Sequence, residues 1–275
     1  MAIQQWGAPS AAQQQPFQPR RVIAAARLLL IGTLASTTGG CSALQRDSFT
    51  LEVDLPAHFK FSGDAYYRPA PGESCSLERP GRQFFKTDYV DRPHRVSFQV
   101  PLYRRDGRCR LALSSIVTDY RAKWGERWGD DSGDFGALSF RDQLAAGRGT
   151  VPASGVKQFN GRCQWLFRTV GPARDLIKIL QCKAADEQGQ AQQGRPGGAV
   201  RRDQVAGKTV RLVLGMAGEE KPYYRGWWLK TPVGWRPCTG RWGTQNEEFC
   251  TEPPQFTNFK LPDGRVCTVY PGCTE

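Results

Sequence analysis

Histidine is almost missing from this chain: His58 and His94 are the only two in 275 residues. That scarcity leaves little room for a Ser-His-acid triad or a His-rich zinc centre. No Gly-x-Ser-x-Gly elbow, P-loop or dinucleotide-binding glycine fingerprint occurs, and no two cysteines stand in a Cys-x-x-Cys pair. Thiol redox chemistry of the thioredoxin type and Cys-ligated zinc therefore lack their sequence elements. Long apolar runs are missing too. The best is Leu28–Ala35, far short of the roughly 20 residues that cross a bilayer as a helix. Acidic residues are in deficit, 26 against 38 Lys and Arg, and none precedes Asp47. What is abundant argues for a folded, exported protein: 8 Trp, 14 Phe and 9 Cys, with Gly and Pro below the fraction that marks disorder.

The N-terminus sets the compartment. Residues 1–19 are polar and rich in Gln and Pro; Arg20, Arg21 and Arg27 then precede the apolar run, which ends in Ser36-Thr37-Thr38-Gly39-Gly40-Cys41-Ser42. Positive charge, a short apolar stretch and then small residues is the order of a secretory signal. At Gly39-Gly40-Cys41 the sequence resembles a Gram-negative bacterial lipoprotein, whose lipobox places small residues before the cysteine that becomes the acylated N-terminus. Thr38 departs from the preferred Leu three residues before that cysteine, and a plain cleaved signal is the competing reading. The resemblance implies a signal at 1–40, lipidation of Cys41, a tether at 41–47, and, with Ser rather than Asp at 42, sorting to the outer membrane facing the periplasm. Acyl chains would anchor firmly, since each buried methylene contributes about 0.8 kcal/mol. Loss of Arg20, Arg21 and Arg27 with the signal lowers the net charge from +12 to +9.

Eight cysteines then remain: Cys75, Cys109, Cys163, Cys182, Cys238, Cys250, Cys267 and Cys273. An even number in an exported chain reads as four disulfides. Proximity in sequence favours Cys75–Cys109 and Cys163–Cys182. The last four pair among themselves, either 238–250 with 267–273 or nested as 238–273 with 250–267.

Alternation of apolar and polar residues dominates the first two thirds, as in Phe49/Leu51/Val53/Leu55, Val96/Phe98/Val100/Leu102, Cys163/Trp165/Phe167 and Val210/Leu212/Leu214. The expected fold is mainly β, with antiparallel sheets in a sandwich-like arrangement spanning 48–183. Ser139–Ala146, with a capping-box-like Ser139-x-x-Asp142 and a stop at Gly147, suggests one short helix. Residues 184–206, rich in Gln and Gly, read as a loop or linker. A closing strand and a small disulfide- and aromatic-rich C-terminal subdomain occupy 207–275.

Three groups of residues invite chemistry. The acidic run Gly129–Gly136 lacks the glycine and glutamate positions of an EF-hand, so a solvated turn is expected rather than a calcium loop. His58 and His94 both stand where strands open and read as structural. The third group is the richest: Tyr223, Tyr224, Arg225, Trp227, Trp228, Trp235, Arg236, Arg241 and Trp242. Indole faces stack on sugars, arginines pair with phosphates or carboxylates, and Trp with Arg dominates protein–protein hot spots. The same rings would equally serve as the core of a stapled module. The expectation is a non-enzymatic binding protein without cofactor or metal and without nucleic acid as partner. In size, anchor and disulfides it resembles periplasmic immunity lipoproteins that neutralise secreted effectors. A glycan- or peptidoglycan-binding envelope module is the alternative, and an envelope hydrolase a remote third.

Overall fold

Burial in the computed structural model follows the alternation closely. The structure describes residues 47–78, 81–239 and 249–274; the signal at 1–40, Cys41, Arg241 and Trp242 lie outside them. In β1 (Ser48–Leu55) Phe49, Leu51, Val53 and Leu55 are buried, and in β2 (Phe59–Pro69) the same face holds Phe59, Phe61, Ala65 and Tyr67. The next strands are β3 (Gly81–Lys86), β4 (His94–Pro101), β5 (Tyr103–Asp106), β6 (Cys109–Lys123) and β7 (Asp131–Arg141). A long hairpin, β8 (Val156–Val170) and β9 (Asp175–Ala185), leads to β10 (Gly197–Arg201), helix α1 (Arg202–Val205) and β11 (Thr209–Met216). Short pieces complete the chain: β12 (Lys221–Pro222), β13 (Trp228–Thr231), β14 (Gly234–Pro237), β15 (Phe259–Lys260) and β16 (Val266–Cys267).

Two sheets carry the fold. One runs β16-β15-β9-β8-β11-β1-β4 with β12 beside β8, the other β10-β7-β6-β2-β3 with β5 beside β6. They face each other through aromatic contacts: Phe49 against Phe140 at 5.1 Å between ring centroids, Phe61 against Phe98 at 5.8 Å, and Phe85 stacked on Phe98 at 5.0 Å. Burying such rings from both inner faces is the main stabilising term of a sandwich. The mainly β expectation holds, with a refinement. β1–β11, β11–β8 and β10–β7 pair in parallel. Alternation reports which face is buried and is silent on the direction of the neighbouring strand.

The expected helix at Ser139–Ala146 does not form. Ser139 is paired in the ladder with Ser115 and Ala199 at the end of β7, and turns follow. Among the described residues the helix is α1 instead, inside the stretch read as loop or linker. That stretch also contributes β10, whose Gly197 has φ +116 and lies so close to β7 that a Cβ would run into the Ala137 carbonyl. Only glycine combines that φ with that approach. Asp142, the acidic partner of Ser139 in that capping-box pattern, is used by Arg202.

Arg202 is the buried cation of the fold, 6% exposed. Its guanidinium donates to the carbonyls of Leu113 (3.0 Å) and Phe140 (3.2 Å) and to the Asp142 carboxylate, tying α1 to β6 and β7. Removing it strands two carbonyls, at about 1–3 kcal/mol each. Arg202→Met is therefore expected to lower stability by about 2–4 kcal/mol in urea unfolding, by the same reasoning. Its neighbour Arg201 pairs with Asp203 at the surface, so Arg201→Gln is expected to stay within about 0.5 kcal/mol. Equal losses in the two variants would contradict this account.

Candidate functional site

The disulfides form as Cys75–Cys109, Cys163–Cys182, Cys238–Cys250 and Cys267–Cys273, which selects the sequential pairing for the last four. The two C-terminal bridges hold short strands that would have little stability alone. β12 lies parallel to β8 at Leu166 and Phe167, β13 and β14 form a hairpin, and Trp235 bridges to Tyr270. Beneath them is a second core of Phe167, Leu176, Trp228, Phe259, Cys267 and Tyr270. Trp228 meets Phe167 edge-on at 5.0 Å and Phe259 at 5.3 Å, while Phe167 and Tyr270 lie 4.3 Å apart.

The candidate binding residues thus separate into groups. Trp228 is core, and Trp227 packs on that core and on Tyr224, whose ring is 4.0 Å away. Tyr223 and Tyr224 share the Arg168 guanidinium, at 5.6 and 5.8 Å from the ring centres, and Arg168 donates to the Tyr224 hydroxyl. Arg236 is spent on the Phe256 ring at 3.9 Å. Arg225, Trp228 and Trp235 come together in one groove of about 390 Å³, with Glu219, Lys221, Pro222, Gly226 and Lys230 completing the wall. Lys230 pairs with Glu219 at 2.6 Å and lies 5.5 Å from the Trp235 ring centre. That hydrogen bond, with the charge behind it, holds the Glu219 carboxyl below its ordinary range. Lys221 and Arg225 have no carboxylate within ion-pair distance among the described residues. The groove can therefore bury an apolar or aromatic group while Lys221 and Arg225 meet an acid at its rim.

No family model matches the chain, and neither a curated protein nor a solved structure resembles it significantly. Function must come from the geometry.

The other candidates are engaged structurally. The acidic run does not form a solvated turn: Asp131–Arg141 is strand β7, and Asp130 is 3% exposed. Asp130 accepts from the Arg127 side chain and backbone, and Asp131 from Arg121 and from the Tyr89 hydroxyl at 2.8 Å. Asp134 crosses to the other sheet, accepting from the Cys182 amide at 2.7 Å and pairing with Arg195. Asp131 and Asp134 stand three residues apart in β7 and so point to opposite faces, which keeps them from converging on one cation. Glu73 lies near Cys75 and Cys109, but those sulfurs form a disulfide and offer no thiolate. His58 pairs with Asp91 at 3.3 Å at the surface, and His94 Nδ1 lies 3.1 Å from the Arg92 carbonyl. Neither has a serine or cysteine side chain in hydrogen-bond reach among the described residues.

A second cavity of about 430 Å³ lies between the β6–β7 loop and the C-terminal segment, lined by Trp124, Arg127, Lys178, Leu261 and Tyr270 among others. Below it Lys178 donates to Glu220 at 2.8 Å, and the Tyr270 hydroxyl donates to the other oxygen of that carboxylate. Burial and then Glu220 push the Tyr270 phenol well above its ordinary value, and burial, with the Asp134 and Asp119 charges behind it, does the same for Tyr120. Burial pushes Tyr67 up to about 12 from 10.0. A phenol that stays neutral in the folded state while the unfolded one ionises stabilises the fold fully below pH 10. That contribution is lost between 10.0 and about 12 as Tyr67 ionises. Absorbance titration at 295 nm is expected to show Tyr67, Tyr120 and Tyr270 ionising only as the protein unfolds. All phenols ionising together below the unfolding transition would refute it.

Proposed function

We propose that this chain is an exported binding protein, held at the periplasmic face of the outer membrane by acylation of Cys41, which neutralises a secreted effector protein by covering it. The observation that supports a protein partner is the groove at Trp228 and Trp235. It combines an apolar wall of Trp and Pro222 with Lys221 and Arg225, which make no ion pair with a carboxylate among the described residues. An anchor side chain in a desolvated pocket, ringed by charges that steer the approach, is the physics of a protein–protein hot spot. Rigidity adds to this, because a surface already ordered by Cys238–Cys250 and Cys267–Cys273 loses little entropy on association. The partner segment that fits is acidic and carries an aromatic or aliphatic residue.

The glycan-module alternative draws less support from the same rings. Trp228 is 5% exposed and surrounded edge-on, and Trp227 lies against Tyr224, so the open indole faces that stack on sugars are few. An envelope hydrolase would need a nucleophile beside His58 or His94.

The test is coexpression with a secreted phospholipase or other toxin, where the neighbouring genes encode one. The wild-type chain is expected to protect cells against toxin directed to the periplasm. Lys221→Glu with Arg225→Glu is expected to abolish protection and to weaken the purified complex by about tenfold or more, mainly through slower association. Both side chains are exposed, so thermal unfolding should be unchanged. Full protection by the folded charge-reversed protein would reject the groove, and absence of any complex would reject the effector. The anchor is tested apart: Cys41→Ser should move the protein from the membrane to the soluble periplasmic fraction and abolish uptake of labelled fatty acid.

A further inference from the structure

The β8–β9 hairpin holds an arrangement that the proposed partner binding does not use. The Cys163–Cys182 disulfide joins two directly opposed residues on the inner side of the ribbon. That cross-link fixes the register and forces the neighbouring pairs, Arg162 with Lys183 and Gln164 with Gln181, to stand opposite each other on the outer side. Two cations directly opposed on one face of a sheet destabilise it. A carboxylate between them would relieve the repulsion, yet none lies within ion-pair distance of Arg162 or Lys183 among the described residues. Asp186 and Glu187 line a separate hollow beyond Arg162, and Asp186 is occupied by the Gln190 amide and the Gln192 side chain.

These residues wall a cavity of about 400 Å³, which Lys221 enters from β12 and Gln190 from the loop after β9. The acid on its wall, Glu219, is bound to Lys230. The cavity therefore gathers three cations around one acid, and Glu219, which feels the Lys221 charge, is already hydrogen-bonded to Lys230. Arg162 uses one nitrogen to donate to the Gly189 carbonyl, which orients the guanidinium and leaves further N–H groups for a ligand. Gln164 is held similarly, donating to the Glu219 carbonyl at 2.8 Å. Three positive charges favour a dianion over a single carboxylate, and a phosphomonoester carries about −1.5 to −2 at pH 7 with three acceptor oxygens. The volume far exceeds a bare phosphate, and beside Ala191, Ala217 and Gly218 the wall carries the side-chain amides of Gln164, Gln181 and Gln190. Amides both donate and accept, as hydroxyl groups do. No aromatic ring lines the cavity to stack on a nucleobase.

We propose that this cavity binds a phosphorylated monosaccharide, with Arg162, Lys183 and Lys221 on the phosphate and the glutamine amides on the sugar hydroxyls. The site is independent of the partner-binding reading. It shares Lys221 and Glu219 with the neighbouring groove, so its test uses Arg162 and Lys183, which the groove does not contain.

Isothermal titration of the purified protein with glucosamine 1-phosphate, inorganic phosphate and glucosamine separates the contributions. Vesicles of phosphatidylcholine with and without lipid A, which presents the same phosphorylated sugar at a membrane, form a further arm. Glucosamine 1-phosphate is expected to bind more tightly than inorganic phosphate, and glucosamine not at all. Lys183→Gln should weaken binding by about tenfold, the usual effect of losing a charge-assisted hydrogen bond. It should also leave the melting temperature of the unliganded protein unchanged or higher, because the like-charge opposition is removed. A purely structural Lys183 would leave the affinity unchanged and lower the melting temperature. Binding to the free sugar phosphate assigns a soluble ligand, and binding to lipid A vesicles alone assigns a membrane-presented one. Equal affinity for inorganic phosphate, no binding to either phosphosugar, or undiminished binding in a folded Arg162→Gln/Lys183→Gln variant would overturn the proposal. Protection against a toxin is a separate readout, so this site and the effector reading can fail independently.

Discussion

Everything in this molecule is hung on β8. It is long enough to belong to both cores. Its first half pairs with β11 inside the sandwich, and its second half delivers Phe167 to the aromatic cluster beneath the C-terminal strands. The Cys163–Cys182 bridge to β9 clamps it in the middle, where a slip of one residue would turn every inner side chain outward. The same clamp decides what the outer side displays. Because the register cannot adjust, Arg162 and Lys183 remain side by side, and the cavity they form follows from a constraint applied on the opposite face.

The acidic residues explain where positive charge is left over. Asp130, Asp131, Asp134, Asp142, Glu219 and Glu220 each have a cation or a donor inside the protein. With acids in deficit and many committed internally, cations collect where they outnumber the carboxylates. Those places are the β8–β9 outer face and the groove beside β12, which share Glu219 as their one acid. Solvated charge accounts for much of a basic protein's surface. Concave sites with several cations and a single acid are different, since a low-dielectric wall strengthens the field that an anionic partner meets.

Strand content was readable because alternation over β1, β4, β8 and β11 is a direct consequence of one buried face. The capping pattern at Ser139 misled because strand pairing with β6 and β10 outweighed a local signal worth only about 1 kcal/mol. The Gln/Gly-rich stretch hid β10 and α1, since a Gly-Gly-Ala strand edge carries almost no hydrophobic period. The aromatic cluster was visible as a composition, but its division into Trp228 in the core and Arg225 and Trp235 at the groove was not. Ring-on-ring packing with Phe167, some sixty positions before Trp228 by rough count, decides which indoles are spent. Arg162 and Lys183 attracted no notice, because nothing in linear order shows that they oppose each other.

The amino-acid sequence by itself determined the mainly β character and the inward face of each long strand. It also determined the even set of eight cysteines behind the lipobox-like segment. These depend on composition and on patterns a few residues long. Tertiary structure alone decided the parallel ladders, the choice of 238–250 with 267–273, and the burial of Trp228. It alone set two lone cations opposite each other across a hairpin. Those outcomes depend on which distant segments meet, and a chain's local periodicity carries no record of its neighbours.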